Sequence, residues 1–147
     1  MSIEHCRKRM RVPRISVRER KQRAIFVNED KALFIITRVD GCVTHNETAA
    51  DWVVSKENVG DVVIELKGRD VDHAVQQVRA TADFWRDQGL RIGQIAGLIV
   101  ARQYPRSSTR VQRAQQAFAR SFRGPLHVAT SNSEFQIERV LEFDGPH

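Results

Sequence analysis

Hydrophobic and polar positions alternate in two neighbouring stretches, ADWVVS and DVVIELK, on either side of residues 56–60. A period of two predicts two β-strands joined by a hairpin. Directly opposed residues of an antiparallel pair have numbers with a constant sum, so Val53 faces Val63 and Asp51 faces Glu65. Asp51, Glu65 and Lys67 then lie on one face of the pair. The other face is wholly apolar, and it holds Ala50, Trp52, Val54, Val62, Ile64 and Leu66.

The rest of the pattern predicts further strands and two helices. Residues 31–39 are rich in strand-forming residues and end at Asp40-Gly41, a hairpin-turn signal before CVTH. Apolar residues recur with helical spacing from Asp70 to Gly89, and a second helix is expected from residues 107–109 to Gly124. Residues 97–101 and 126–130 are expected to be buried strands, whereas EFQIERVLEF near the C-terminus fits either type. We therefore predict an α/β fold with a mixed central sheet flanked by helices.

Positive charge is concentrated at the N-terminus. The whole chain of 147 residues has a formal charge of +6, yet residues 1–23 contain nine Lys and Arg against two Glu. Such a block predicts a mobile basic arm before a single domain at residues 24–147. The arm would either attract phosphates or act as a solubilising tail. Within it, Ser16 and Glu19 have the spacing of a capping box, which predicts a short helix.

Cysteine usage and hydropathy bear on the cellular setting. Cys6 and Cys42 have neither a CxxC spacing nor a zinc-like pattern with histidine, so we assign them no role. No apolar run approaches the length of a membrane span, which favours a soluble, cytoplasmic protein with no membrane partner.

The two acids of the strand pair are the candidate site. Like charges directly opposed across a ladder destabilise it, so a cation is expected between Asp51 and Glu65. Two carboxylates without a nearby imidazole or thiolate suit a hard cation such as Mg²⁺, with Mn²⁺ as an alternative. Lys67 on the same face could hold water or stabilise charge on a phosphate. The chemistry that this arrangement favours is metal-assisted phosphodiester hydrolysis.

The spacing of these residues resembles the signature of the PD-(D/E)XK nuclease superfamily, which is restriction-endonuclease-like. Asp51 is followed fourteen residues later by Glu65-Leu66-Lys67, and Gln77 lies in the next predicted helix. The resemblance implies an α-β-β-β-α-β core and Mg²⁺ ligation by Asp51, Glu65 and the Leu66 carbonyl. It further implies that Lys67 activates water and that Gln77 orients substrate or water.

Two features depart from that family pattern. Ala50 replaces the proline of the motif's name, and the family's additional glutamate has no certain counterpart. The candidates for that glutamate are Glu19, Glu29 and Glu47.

The resulting hypothesis is a Mg²⁺-dependent nuclease that acts on DNA rather than RNA and works as a homodimer. We expect phosphate contacts from the arm and from the arginine-rich face of the second helix. The residues assigned to them are Arg7, Lys8, Arg9, Arg11, Arg110 and Arg113. Two alternatives remain open, namely a non-catalytic nucleic-acid-binding or accessory subunit and a structural domain. In the second, the acids and Lys67 form an ordinary solvated strand face and Gln77 is a boundary residue.

Overall fold

The computed structural model describes residues 2–45, 48–67, 70–102, 108–130 and 133–146, with Lys67 described by its backbone alone. Nine strands and three α-helices are found in these ranges, after a single 3₁₀ turn at Glu4–Cys6. The strands are β1 Arg7–Met10, β2 Arg14–Glu19, β3 Gln22–Val27, β4 Phe34–Arg38, β5 Trp52–Lys56, β6 Gly60–Lys67, β7 Gln94–Ala101, β8 Leu126–Thr130 and β9 Glu134–Phe135. The helices are α1 Val71–Asp87, α2 Thr109–Phe122 and α3 Ile137–Val140.

The strands form one large and one small sheet. The large sheet has the order β1-β4-β5-β6-β7-β8, and the small sheet has the order β2-β3-β9. In the large sheet β5 and β6 are antiparallel, with Val53 opposite Val63 and Ser55 opposite Asp61. This is the register predicted from the alternating pattern. Beyond β6 the pairing becomes parallel, because α1 and α2 carry the chain back before β7 and β8.

Each face of the large sheet is covered by its own core. One face packs against α1 and α2, with Val53 and Val63 next to Val78, Trp85 and other buried residues of the helices. The opposite face packs against the small sheet and α3. The face with the acids is therefore buried over most of its length, which does not fit the alternative of an ordinary solvated strand face.

The predicted helices and the later strands are confirmed. Asp70 caps α1 by accepting a hydrogen bond from the backbone N–H of His73, and the side chain of Ser108 caps α2. The β8 strand occupies the predicted residues, and the ambiguous C-terminal stretch divides into β9 and α3.

The predicted mobile arm and its short helix are wrong. Residues 7–10 form β1 at the edge of the large sheet, and residues 14–19 and 22–27 form the β2–β3 hairpin of the small sheet. Ile15 and Val17 point into the core while Ser16 and Arg18 stay exposed, so the period of two overrides the capping box. The proposed boundary at residue 24 falls inside β3.

Two predictions for residues 40–45 also fail. Gly41 has a φ of 82° and the expected turn forms, but the residues after it make a loop, and β4 pairs directly with β5. Cys6 and Cys42, to which the sequence assigned no role, form a disulfide. Disulfides persist in oxidising compartments and are rare in the cytosol, which argues against the predicted cytoplasmic location.

The fold class is mixed α/β, as predicted. The leading helix of the expected α-β-β-β-α-β order is absent from the described residues, where strands and a three-residue 3₁₀ turn precede β4. None of the described helices is long and apolar enough to cross a membrane.

Candidate active site

Asp51 and Glu65 lie side by side at the end of the β5–β6 ladder. The backbone N–H of Asp51 donates to Glu65 Oε1 at 3.0 Å, and the backbone N–H of Leu66 donates to Asp51 Oδ2 at 2.9 Å. The exposed fraction is 7% for Asp51 and 2% for Glu65. These hydrogen bonds hold both carboxylates, and we refer to these two residues as the acid pair.

The acid pair lines a cleft of about 590 Å³. One wall is the turn of the β2–β3 hairpin, residues 19–22, which we call the hairpin tip. The remaining lining residues come from the large sheet and the α1 region, and they are Asp40, Leu66, Asp70 and Gln77. The cleft thus combines segments that are far apart in sequence around one pair of carboxylates.

Helix α1 positions the segment before Asp51 through two side chains. The Gln77 amide donates to the carbonyl of Ala49 at 3.2 Å, and the backbone N–H of Ala50 donates to the Thr81 hydroxyl at 2.8 Å. Gln77 is only 6% exposed, and its Oε1 atom has no hydrogen-bond partner among the described residues. A buried amide oxygen without a partner is costly, which makes Gln77 a candidate to accept a hydrogen bond from a ligand or water.

Burial raises the pKa of Asp51, and a hydrogen bond from the Leu66 backbone opposes this effect. The negative charges of Glu19 and Asp40 raise it further, while a hydrogen bond between the Asp51 and Glu65 side chains lowers it. Because burial favours the neutral form of Asp51, a cation that binds the acid pair would compete with protonation of this carboxyl group.

Glu19 is the candidate for an additional acid that the fold brings to the cleft. Glu29 lies exposed after the far end of β3, and Glu47 lies outside the described residues. The sequence offered no direct signal for Asp40, Asp70 or the hairpin tip as lining residues, because their proximity depends on how the small sheet packs on the large one.

Lys67 is the last residue of β6, two positions after Glu65, and its side chain lies outside the described part of the chain. Asp61, near the start of β6, is fully buried. It accepts hydrogen bonds from the Ser55 hydroxyl and from the backbone N–H of Ile92, so it holds the start of β7. Burial raises the pKa of Asp61 as well.

The predicted phosphate-binding residues are dispersed over the fold. Arg7 is half-buried, with its guanidinium 5.8 Å from the centre of the Trp85 ring and a hydrogen bond to Thr37, so it is committed to internal contacts. Arg9 pairs with Glu4, and Arg110 pairs with Asp72 at 3.2 Å. Lys8, Arg11 and Arg113 are exposed. The β1 group lies on an edge strand of the large sheet, whereas Arg110 contacts the first turn of α1, two residues after the cleft-lining Asp70.

The donor set at the acid pair fits a hard divalent cation. Mg²⁺ commonly takes one or two protein carboxylates and keeps several waters. In the described residues no third acidic group lies within 4.8 Å of both members of the pair, so the remaining ligands would come from water, a carbonyl or a substrate. The unpartnered Oε1 of Gln77 beside the carboxylates is consistent with such a ligand set.

Comparison of the chain with protein-family models, curated proteins and solved structures gives no significant match. Conclusions about function therefore depend on the geometry of the cleft.

Proposed function

We propose that this protein is a Mg²⁺-dependent nuclease of the PD-(D/E)XK type that hydrolyses phosphodiester bonds, with DNA as its preferred substrate. The observation that carries the proposal is that Asp51 and Glu65 lie next to each other in an open cleft, each accepting a hydrogen bond from a backbone N–H. An acid pair without a cation is a destabilising arrangement for a strand ladder. Its position on β6 and at the residue just before β5 favours a role in binding.

Each residue of the site has a proposed task. Asp51 and Glu65 hold the cation, and the strand hydrogen bonds keep their carboxylates from turning away. Lys67 holds the attacking water or stabilises charge on the phosphate, and Gln77 offers its free amide oxygen to water or substrate. When bound, Mg²⁺ would lower the pKa of water and neutralise charge at the phosphate.

The test is cleavage of labelled single-stranded and duplex DNA and of RNA, with Mg²⁺, with Mn²⁺ and with EDTA. We expect cleavage only with a divalent cation, and we expect its loss in Asp51→Asn, Glu65→Gln and Lys67→Ala. A loss of at least 100-fold is expected for each, as for removal of a principal electrostatic group. Glu57→Gln is the matched control, since Glu57 is an exposed acid in the turn at the far end of the same ladder.

Two results would contradict the proposal. Cleavage that persists in all three variants would show that a different site or a contaminant acts on the nucleic acid. Salt-sensitive binding without cleavage under any of these conditions would identify a non-catalytic nucleic-acid-binding protein instead.

A further inference from the structure

The hairpin tip carries two exposed cations that the sequence-based assignment did not include. Arg20 and Lys21 line the cleft across from the acid pair, and neither forms an ion pair with any described residue. Two other arginines of this region are paired, Arg14 with Glu134 and Arg38 with Glu19. The positive charge of the tip is therefore available to a ligand in the cleft.

Buried polar atoms on both walls of the cleft also lack partners. Gln77 Oε1 on the α1 side and Gln22 Oε1 on the hairpin side accept no hydrogen bond within the described ranges. Gln77 is more than nine-tenths buried, which makes an unmet acceptor expensive. Both glutamines line the cleft, where a polar ligand with hydroxyl groups or base N–H groups would supply hydrogen-bond donors.

Charged residues of both signs line the cleft. The acids are Glu19, Asp40, Asp51, Glu65 and Asp70, of which Glu19 pairs with Arg38, whereas the bases Arg20 and Lys21 both lie at the hairpin tip. A phosphate chain would be attracted to the tip and repelled by the opposite wall, except at the acid pair once a cation is bound there. Neighbouring phosphates of one strand could then contact the hairpin tip and the cation at the acid pair.

The size of the cleft limits what can enter it. Its volume of about 590 Å³ is within the range of sites for a single small ligand, about 300–1,000 Å³. One or two nucleotides of an extended strand fit this space, whereas a B-form duplex, whose major groove alone is about 12 Å wide, does not. The acid pair is nearly buried and lines this cleft.

We infer that the hairpin tip, through Arg20 and Lys21, holds the backbone phosphates of an unpaired nucleic-acid strand lying in the cleft. This inference rests on the proposed function and specifies its substrate class. It predicts that removal of the two charges weakens binding of single strands by a salt-dependent amount. Two phosphate contacts on a single strand change affinity by about tenfold at roughly 0.15 M salt, and by about threefold at roughly 0.5 M.

The experiment measures binding of a short fluorescein-labelled single strand by anisotropy, in EDTA and again with Ca²⁺. The test variant is Arg20→Asn with Lys21→Gln, and the control is Lys31→Asn with Arg91→Gln. Arg20 and Lys31 both have positive φ, 55° and 51°, so asparagine suits each position. Lys31 and Arg91 lie toward the Lys56–Gly60 end of the sheet, away from the cleft. Lys21→Gln alone and thermal melts show whether any loss comes from misfolding.

The inference is supported if the tip variant loses about tenfold in affinity while the control stays within twofold of the unmodified protein. It is overturned if the tip variant and the control bind alike, if duplex is bound as tightly as single strand, or if the unmodified protein binds neither. If the unmodified protein cleaves nucleic acid and the tip variant binds single strands as tightly as the unmodified protein, the inference is refuted and the proposed function is not. If the tip variant binds single strands more weakly but the unmodified protein cleaves no nucleic acid, the hydrolytic function is refuted and the inference is not.

Discussion

Replacement of Asp51 by asparagine should make the protein more stable and at the same time unable to bind its cation. Asparagine keeps the shape of the side chain and can accept the hydrogen bond that Leu66 donates to Asp51 at 2.9 Å. It removes one of two carboxylates opposed across the ladder, which is worth up to about 1 kcal/mol. In a domain of this size that gain raises Tm by roughly 2–4 °C in metal-free buffer.

Although Asp51→Asn should raise Tm in metal-free buffer, it should abolish the further rise in Tm that Mg²⁺ gives to the unmodified protein. At a Mg²⁺ concentration ten times its dissociation constant, the unmodified protein gains RT ln 11, about 1.4 kcal/mol. This corresponds to a rise in Tm of roughly 3–6 °C. Asp51→Asn should show no such rise, since a neutral amide is a poor ligand and a single carboxylate remains.

The assay is thermal unfolding in EDTA and across a Mg²⁺ titration, followed by fluorescence or calorimetry. Asp61→Asn is the matched control, because Asp61 is a buried acid on the same face of the same ladder, opposite Ser55. Its metal-induced rise in Tm should equal that of the unmodified protein. An equal rise in Asp51→Asn would refute the assignment of the acid pair as the cation site.

Two further predictions concern stability. The Cys6–Cys42 disulfide joins residues separated by 36 positions. The Cys6→Ser/Cys42→Ser variant should therefore lose about 4 kcal/mol in the free energy of unfolding measured with urea. A loss below about 1 kcal/mol would contradict the pairing. Burial raises the pKa of Asp51 in the folded protein, so protonation of this residue stabilises the fold at low pH. This stabilisation is complete below the pKa that Asp51 has in the unfolded chain, and it is lost as pH rises through the pKa of the folded state. In metal-free buffer the stability advantage of Asp51→Asn should therefore be larger at pH 8 than at pH 5, and an advantage that shrinks with pH would refute this cause.

The sequence predicted the fold correctly wherever one local pattern determines both a secondary-structure element and the element next to it. The β5–β6 register followed from a period of two and a short turn, because a shift by one residue would place Asp51, Glu65 and Asp61 in the apolar layer with Ile64. The two long helices followed from their apolar spacing and from caps at Asp70 and Ser108. The acid pair was predictable for the same reason, since its two members belong to this ladder.

The sequence by itself thus determined the hairpin, the helices and the adjacency of Asp51 and Glu65, all of which depend on residues close together in the chain. The tertiary structure decided the rest. The basic N-terminal residues joined two sheets because Ile15 and Val17 had a core to enter, although the local charge and the Ser16–Glu19 spacing favoured other outcomes. The hairpin tip, the Cys6–Cys42 pairing and the burial of Asp61 depend on contacts between distant segments, whose closure is governed by packing of the whole domain.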